Sequence, residues 1–149
     1  MTGSRDAIAA LIHVYAERLD AGDLEGVARL FADATYRTHE TYRPNRGGVY
    51  EGAEAVLGVL HRVIILHEGT PRTKHLMTNL TIEVDEAAGA ATARSYYTIL
   101  QATPTLPLQP IVAGRYHDRC ARVDGAWRFA DRLVFIDLAG DLSQHLRSV

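Results

Sequence analysis

Three ionisable residues stand where the surrounding sequence gives a charge no easy home. Asp20 closes an apolar helical run, at the end where the helix macrodipole disfavours a carboxylate. Its plain reading is a solvated acid in the turn before Gly22. Its chemical reading is a partner for a base. His75 lies early in a strand-like run, on the face that also carries Met77, Asn79 and Thr81. A histidine there is either structural or a proton carrier, being the side chain best suited to moving protons near neutral pH. Arg132 interrupts the alternation Ala130, Arg132, Val134, Ile136, Leu138. An arginine on an apolar face is either at an exposed edge or buried against an anion. Asp20 is the candidate anion, and the pair reads equally as a structural ion bridge or as part of a site.

Tyrosine dominates the aromatic residues, with seven against three phenylalanines and one tryptophan. A buried phenol packs as an aromatic while keeping a donor, so one or two of them could hold a developing oxyanion. Other chemistries fit poorly. None of His13, His39, His61, His67, His75, His117 and His145 forms a tight His-x-His or His-x-x-x-His pair with an acidic companion, so a metal site is not expected. Arg46-Gly47-Gly48 lacks the lysine and spacing of a phosphate loop, and no Gly-x-Ser-x-Gly elbow is present. Cys120, the single cysteine, reads as a small strand residue.

The elements that must carry these residues are legible as periodicities. Ile8, Leu11, Ile12, Tyr15 and Leu19 follow helical spacing and stop at Gly22. Asp23 then caps a short helix with the stripe Leu24, Val27, Ala28 and Phe31. Residues 35–38 form a short strand, and residues 53–67 a third helix burying Val56, Leu57, Leu60 and Ile64. Strands follow over 74–84 (with Leu76, Leu80, Ile82 and Val84 on one face), 90–102, 111–123 and 127–138. Residues 103–110, with three prolines, read as a loop or bulged crossing, and Asp124-Gly125 as a hairpin turn. Helices first and a meander afterwards give a single α+β domain over 1–149, in which three N-terminal helices pack in a strongly curved, mostly antiparallel sheet. Leu11, Ile12, Val56, Leu60, Phe129 and Phe135 are the expected core.

With 149 residues the chain needs no disulfide or metal to fold. A net charge of −2 argues against nucleic acid or an anionic membrane held by bulk charge. The start of the chain shows no basic segment followed by an apolar one, so a cytoplasmic protein is expected.

The order of several short motifs resembles the SnoaL-like branch of the nuclear transport factor 2-like superfamily. They are Tyr15-Ala-Glu-Arg-Leu-Asp20-Ala-Gly-Asp23, Leu30-Phe31-Ala-Asp33-Ala34, Tyr50-Glu-Gly52, Lys74-His75-Leu-Met-Thr-Asn79, Gly114-Arg-Tyr116, Asp124-Gly125-Ala-Trp127-Arg-Phe129 and Arg132. Within that superfamily the pattern is similar to the scytalone dehydratase, bile-acid 7α-dehydratase and hexachlorocyclohexane dehydrochlorinase group.

The resemblance implies a cone-shaped α+β barrel and an Asp20–His75 dyad, with Tyr15 and Arg132 completing the catalytic set. It implies a substrate pocket touched by Tyr36, Tyr42, Leu57, Asn79 and Tyr97, with either Tyr36 or Tyr42 as the second phenol. The histidine that scytalone dehydratase carries on the next strand is missing; Ser95, Tyr96 and Tyr97 occupy that region. The implied activity is a cofactor-independent, dehydratase-like lyase that takes a carbon-bound proton from a small apolar cyclic molecule. An isomerase or polyketide-type cyclase with the same base, or a non-catalytic binding module, is the alternative on the same fold. A homo-oligomer, dimer or trimer, is expected, since open sheet faces in small domains are usually covered. Its face would be Tyr96, Thr98 and Leu100, or Tyr116 and Cys120.

Overall fold

A computed structural model describes residues 3–147. Helix α1 (Ser4–Asp20) buries Ile8, Ile12, Tyr15, Ala16 and Leu19, a stripe at three- and four-residue steps. Its end is defined sharply. Gly22 adopts φ 79° and donates its N–H to Leu19 O, while the Asp23 N–H reaches back to Arg18 O at 2.9 Å. This pair of reverse bonds satisfies carbonyls that the helix leaves open, and glycine adopts the left-handed angle it requires without strain. The Asp23 side chain then accepts from the Gly26 N–H and caps α2 (Leu24–Arg29).

The strands are β1 (Thr35–Glu40), β2 (Arg43–Glu51), β3 (Thr73–Asp85), β4 (Ala90–Thr103), β5 (Leu106–Val123) and β6 (Ala126–Ala139), with α3 (Gly52–Val63) between β2 and β3. They make one sheet in the order β2-β1-β6-β5-β4-β3. Only the β1–β6 pair is parallel. The sheet is curved and unclosed. Helix α1 packs on β3 and β6, and α2 packs on α3, so the helices fill the concave side. Aromatic rings complete this core: Phe31 stacks on Phe129 at 5.1 Å, and its edge meets Tyr15 and Tyr36.

Two bulges decide which side chains face inward. In β3 the register shifts between Thr78 and Thr81, where Asn79 takes φ 54°. Before the bulge Thr73, His75 and Met77 face the core; after it Leu80, Ile82 and Val84 do. The sequence pattern places Leu76 with Leu80, but the bulge puts it outside at 45% exposure. In β6 the shift falls at Ala130, opposite the Arg119/Cys120 step, so that Phe129 and Arg132 both point inward although they are three residues apart. Phe135, expected in the core, consequently lies half-buried on the outer face against His39, His117 and Arg115.

Other expectations shift as well. Helix α3 stops at Val63 instead of continuing to His67, because Ile64 is extended and bridges to Leu146 in the tail. Residues 103–110 hold a tight turn at Pro104 and Thr105, with Leu106 already in β5 and two irregularities in the β4–β5 register just beyond it. The exposed strand β2 has no counterpart in the sequence pattern. Ile12, Val56, Leu60 and Phe129 are buried as expected, and Leu11 packs partly buried against them.

Candidate active site

Asp20 is the last residue of α1, and the Gly22 turn holds it against the start of β3. Its carboxylate is the acceptor for three donors from that strand. The His75 ring Nδ1 lies 2.5 Å from Oδ1, the Thr73 hydroxyl donates to Oδ1 at 2.8 Å, and the His75 backbone N–H donates to Oδ2 at 2.9 Å. Both side chains are largely dry, with His75 at 2% and Asp20 at 12% exposure. Burial pushes the Asp20 carboxyl up, but the His75 ring, the His75 backbone N–H and the Thr73 hydroxyl together hold it below its ordinary value. A carboxylate on Nδ1 fixes the proton there and leaves the Nε2 lone pair to act as base.

Deeper in the cone lies a second, separate charged pair. Arg132 has no exposed side-chain surface, yet its partner is Asp118 rather than Asp20. Arg132 Nε and Nη2 donate to the two Asp118 oxygens at 2.7 and 2.9 Å, a bidentate bridge between the register partners of β5 and β6. The guanidinium also lies 3.8 Å from the Tyr116 ring centre, 4.3 Å from Tyr15 and 4.7 Å from Phe129. Such a box offsets part of the desolvation of the cation.

Above it the Tyr15 and Tyr36 hydroxyls are 3.0 Å apart. Burial raises both phenols, Tyr36 the more, while the Arg132 charge and the Tyr36 hydroxyl restrain Tyr15.

The structure thus brings Asp20 to His75, and Tyr15 to Tyr36 and Arg132. Tyr97 is buried too, stacked on Tyr116 at 4.4 Å, with its hydroxyl donated to Phe135 O. Leu57 packs partly buried on the core. Asn79 is exposed at the β3 bulge, and Tyr42 is 44% exposed in the β1–β2 turn, so neither joins this cluster. Of the two candidate second phenols, Tyr36 is the one beside Tyr15.

Thr73 and Asp118 escaped the sequence reading. Thr73 carried no signal. Asp118 did, since it interrupts the inward alternation Tyr116, Asp118, Cys120 as Arg132 interrupts its own, and the two interruptions have opposite charge. Tyr116 and Cys120 are inside the cone at 2% and 3% exposure, which removes them as an outer face. Burial raises the Cys120 thiol to about 12, so it is no nucleophile at neutral pH. Among the described residues no group of three or more histidine, cysteine, aspartate or glutamate side chains converges as a metal ion would require.

The model of the SnoaL-like domain family matches residues 2–133. No curated protein matches the chain. Among solved structures, an aspartate-to-asparagine variant of Rv3472, a protein of unknown function from Mycobacterium tuberculosis, is 28% identical, with a TM-score of 0.70 over 92% of this chain and 78% of that one. A candidate scytalone dehydratase from Novosphingobium aromaticivorans is 26% identical, with a TM-score of 0.68 over 91% and 85%. The beta subunit of a candidate aromatic-ring-hydroxylating dioxygenase from the same organism shares the fold at 19% identity, with a TM-score of 0.72 over 95% of both chains.

Proposed function

The chain belongs to the SnoaL-like domain family, and from that premise we propose that it is a cofactor-independent lyase of the dehydratase type acting on a small, largely apolar cyclic molecule. The observation that carries this reading is the 2.5 Å contact between Asp20 and His75 in a nearly dry setting. In the proposed step His75 Nε2 takes a carbon-bound proton next to a carbonyl, and Asp20 stabilises the imidazolium that results. Electrons move into the carbonyl and then expel a β-hydroxyl, which leaves as water with a proton from the site. Tyr15, supported by Tyr36, donates to the oxygen on which charge develops, and the buried Arg132 supplies positive potential beneath the Tyr15 ring. The likeness to a candidate scytalone dehydratase supports the same class.

Incubation with a panel of cyclic β-hydroxy ketones, read by mass spectrometry, tests the reading. Loss of one water by the wild type, and a rate lower by about 10²–10⁴-fold in His75→Ala, is the expected result. A product of unchanged mass supports the second reading, an isomerase with the same base, which the Tyr15–Tyr36 phenol pair favours because it can hold an enolate with no leaving group. No turnover of the panel, or turnover untouched in His75→Ala, counts against both and leaves a binding module.

The same reading includes a homodimer or trimer. Tyr96, at 52% exposure on the outer face of β4, and Leu76, at 45% on the neighbouring β3, are the most exposed apolar residues there. Sedimentation at tens of micromolar is expected to give an oligomer that Tyr96→Glu weakens; a monomeric wild type refutes it.

A further inference from the structure

The chain beyond β6 is not a strand but a short turn fastened over the end of the sheet that holds the dyad. Within it, His145 and Leu146 N–H groups return to Leu142 O. Ile65 N–H donates to His145 O at 2.9 Å, and Arg147 N–H to Val63 O at 2.8 Å. The His67 ring meets Gln144 O at 2.7 Å, and Gln101 Nε2 donates to both Gln144 O and Pro71 O. In the β3–β4 register Gln101 faces Thr73, the residue that holds Asp20, and Ile99 faces His75. The fastening therefore places the turn beside the site.

His145 takes part in this fastening only through its backbone. The residue is 4% exposed, and among the described residues its Nδ1 has no hydrogen-bond partner. Its chain neighbour Gln144 is bonded through its carbonyl to Gln101, which lies opposite Thr73 in the β3–β4 register. Gln101 Oε1 is a second buried atom of the same patch with no partner among the described residues, while its amide nitrogen donates to the two carbonyls. A buried polar atom left unpaired is costly, so an apolar residue at 145 would seal the turn at lower cost.

We propose that His145 is a substrate-recognition residue of the Asp20–His75 site, and that it binds the hydroxyl oxygen of an uncharged cyclic ligand. The proposal rests on the reading of that site as a substrate site. Burial holds the ring down to about 4, reinforced by charge on His75 and opposed by Asp20, so His145 is neutral at pH 7. A neutral imidazole suits a neutral oxygen rather than a carboxylate or phosphate. A hydroxyl suits the patch further, since it accepts from His145 and has its own proton for an acceptor such as Gln101 Oε1.

The test compares 2-naphthol with naphthalene, two rings that differ by one hydroxyl, by titration against the full chain. Wild type is expected to prefer 2-naphthol. His145→Phe should weaken 2-naphthol roughly tenfold while leaving naphthalene within about twofold, since one hydrogen bond is worth about that much. His145→Gln, which keeps a donor, should restore part of the preference. An equal loss of both probes in His145→Phe marks a merely structural tail and overturns the proposal. So does a preference that His145→Phe leaves intact, or a wild type that does not favour 2-naphthol at all. The catalytic reading fails separately: a naphthol preference that depends on His145, in a protein that turns over no substrate, leaves recognition standing and removes the lyase.

Discussion

Arg132 and Asp118 form a closed bidentate pair with no side-chain exposure on either partner, on directly opposed positions of β6 and β5. Removing one member leaves an uncompensated charge in the cone, which typically costs about 3–5 kcal/mol. Asp118→Ala is therefore expected to lower stability by that order in urea unfolding. The double replacement Arg132→Met with Asp118→Leu should recover a large part of the loss, because it removes both charges. A double variant no more stable than Asp118→Ala would show that the pair is not an isolated charge problem.

The Asp20 carboxyl is held below its ordinary value by partners that exist only in the fold. The unfolded chain then binds a proton more readily than the folded one, so the contribution is present above the ordinary carboxylate range and is lost as pH falls below about 4. Asp20→Asn should flatten that part of the stability profile measured by thermal melts from pH 3 to pH 7.

His145 has the opposite charge type and the same sign of effect. Its folded value of about 4 lies below the ordinary histidine range, near 6.5. Between those values the unfolded state binds more protons, so stability is full above about pH 6.5 and declines toward pH 4, by an amount on the order of 3 kcal/mol at most. His145→Phe removes this component. Denaturant unfolding of both forms at pH 7 and pH 4.5 should show a smaller acid loss in the variant; an equal loss locates the effect elsewhere.

Gly22 fixes the position of Asp20 by two constraints at once. Its φ is 79°, and a Cβ there would meet Gly69 O at 2.0 Å. Gly22→Ala is expected to cost about 1–3 kcal/mol and to displace the helix end that carries the carboxylate. Activity should fall more than stability alone explains, measured well below the variant's melting temperature. Full activity in a destabilised variant would show that Asp20 is positioned by its own bonds and not by the turn.

Helix α1 and the two dyad residues were legible because their signals are local. A stripe at helical spacing ends at a glycine, and a histidine and an acid stand where their elements disfavour them. Strand β2, Arg43-Pro-Asn-Arg-Gly-Gly-Val-Tyr-Glu51, gave no pattern because it is a polar, largely exposed edge that needs neither alternation nor a continuous ladder. The inward face of β3 was misassigned because a single left-handed residue, Asn79, reverses the alternation. The Arg132 partner was misplaced because only the β5–β6 register decides it, and that register contains two bulges. His145 lies in a tail without periodicity, where tertiary contacts alone determine burial.

The parallel pairing of β1 with β6 has a consequence for how the chain acquires its shape. As synthesis proceeds from the N-terminus, α1, α2 and the β1–β2 hairpin emerge first, yet the hairpin joins the sheet only through the last strand. Until Ala126–Ala139 leaves the ribosome, the β1–β2 hairpin has no neighbouring strand and the apolar stripe of α1 lacks part of its cover. Closing a contact between Thr35 and Asp131 spans most of the chain, a topology that folds slowly and late. A nascent chain stalled before Ala126 is expected to be protease-sensitive along its whole length, and resistance should appear in one step once β6 is released.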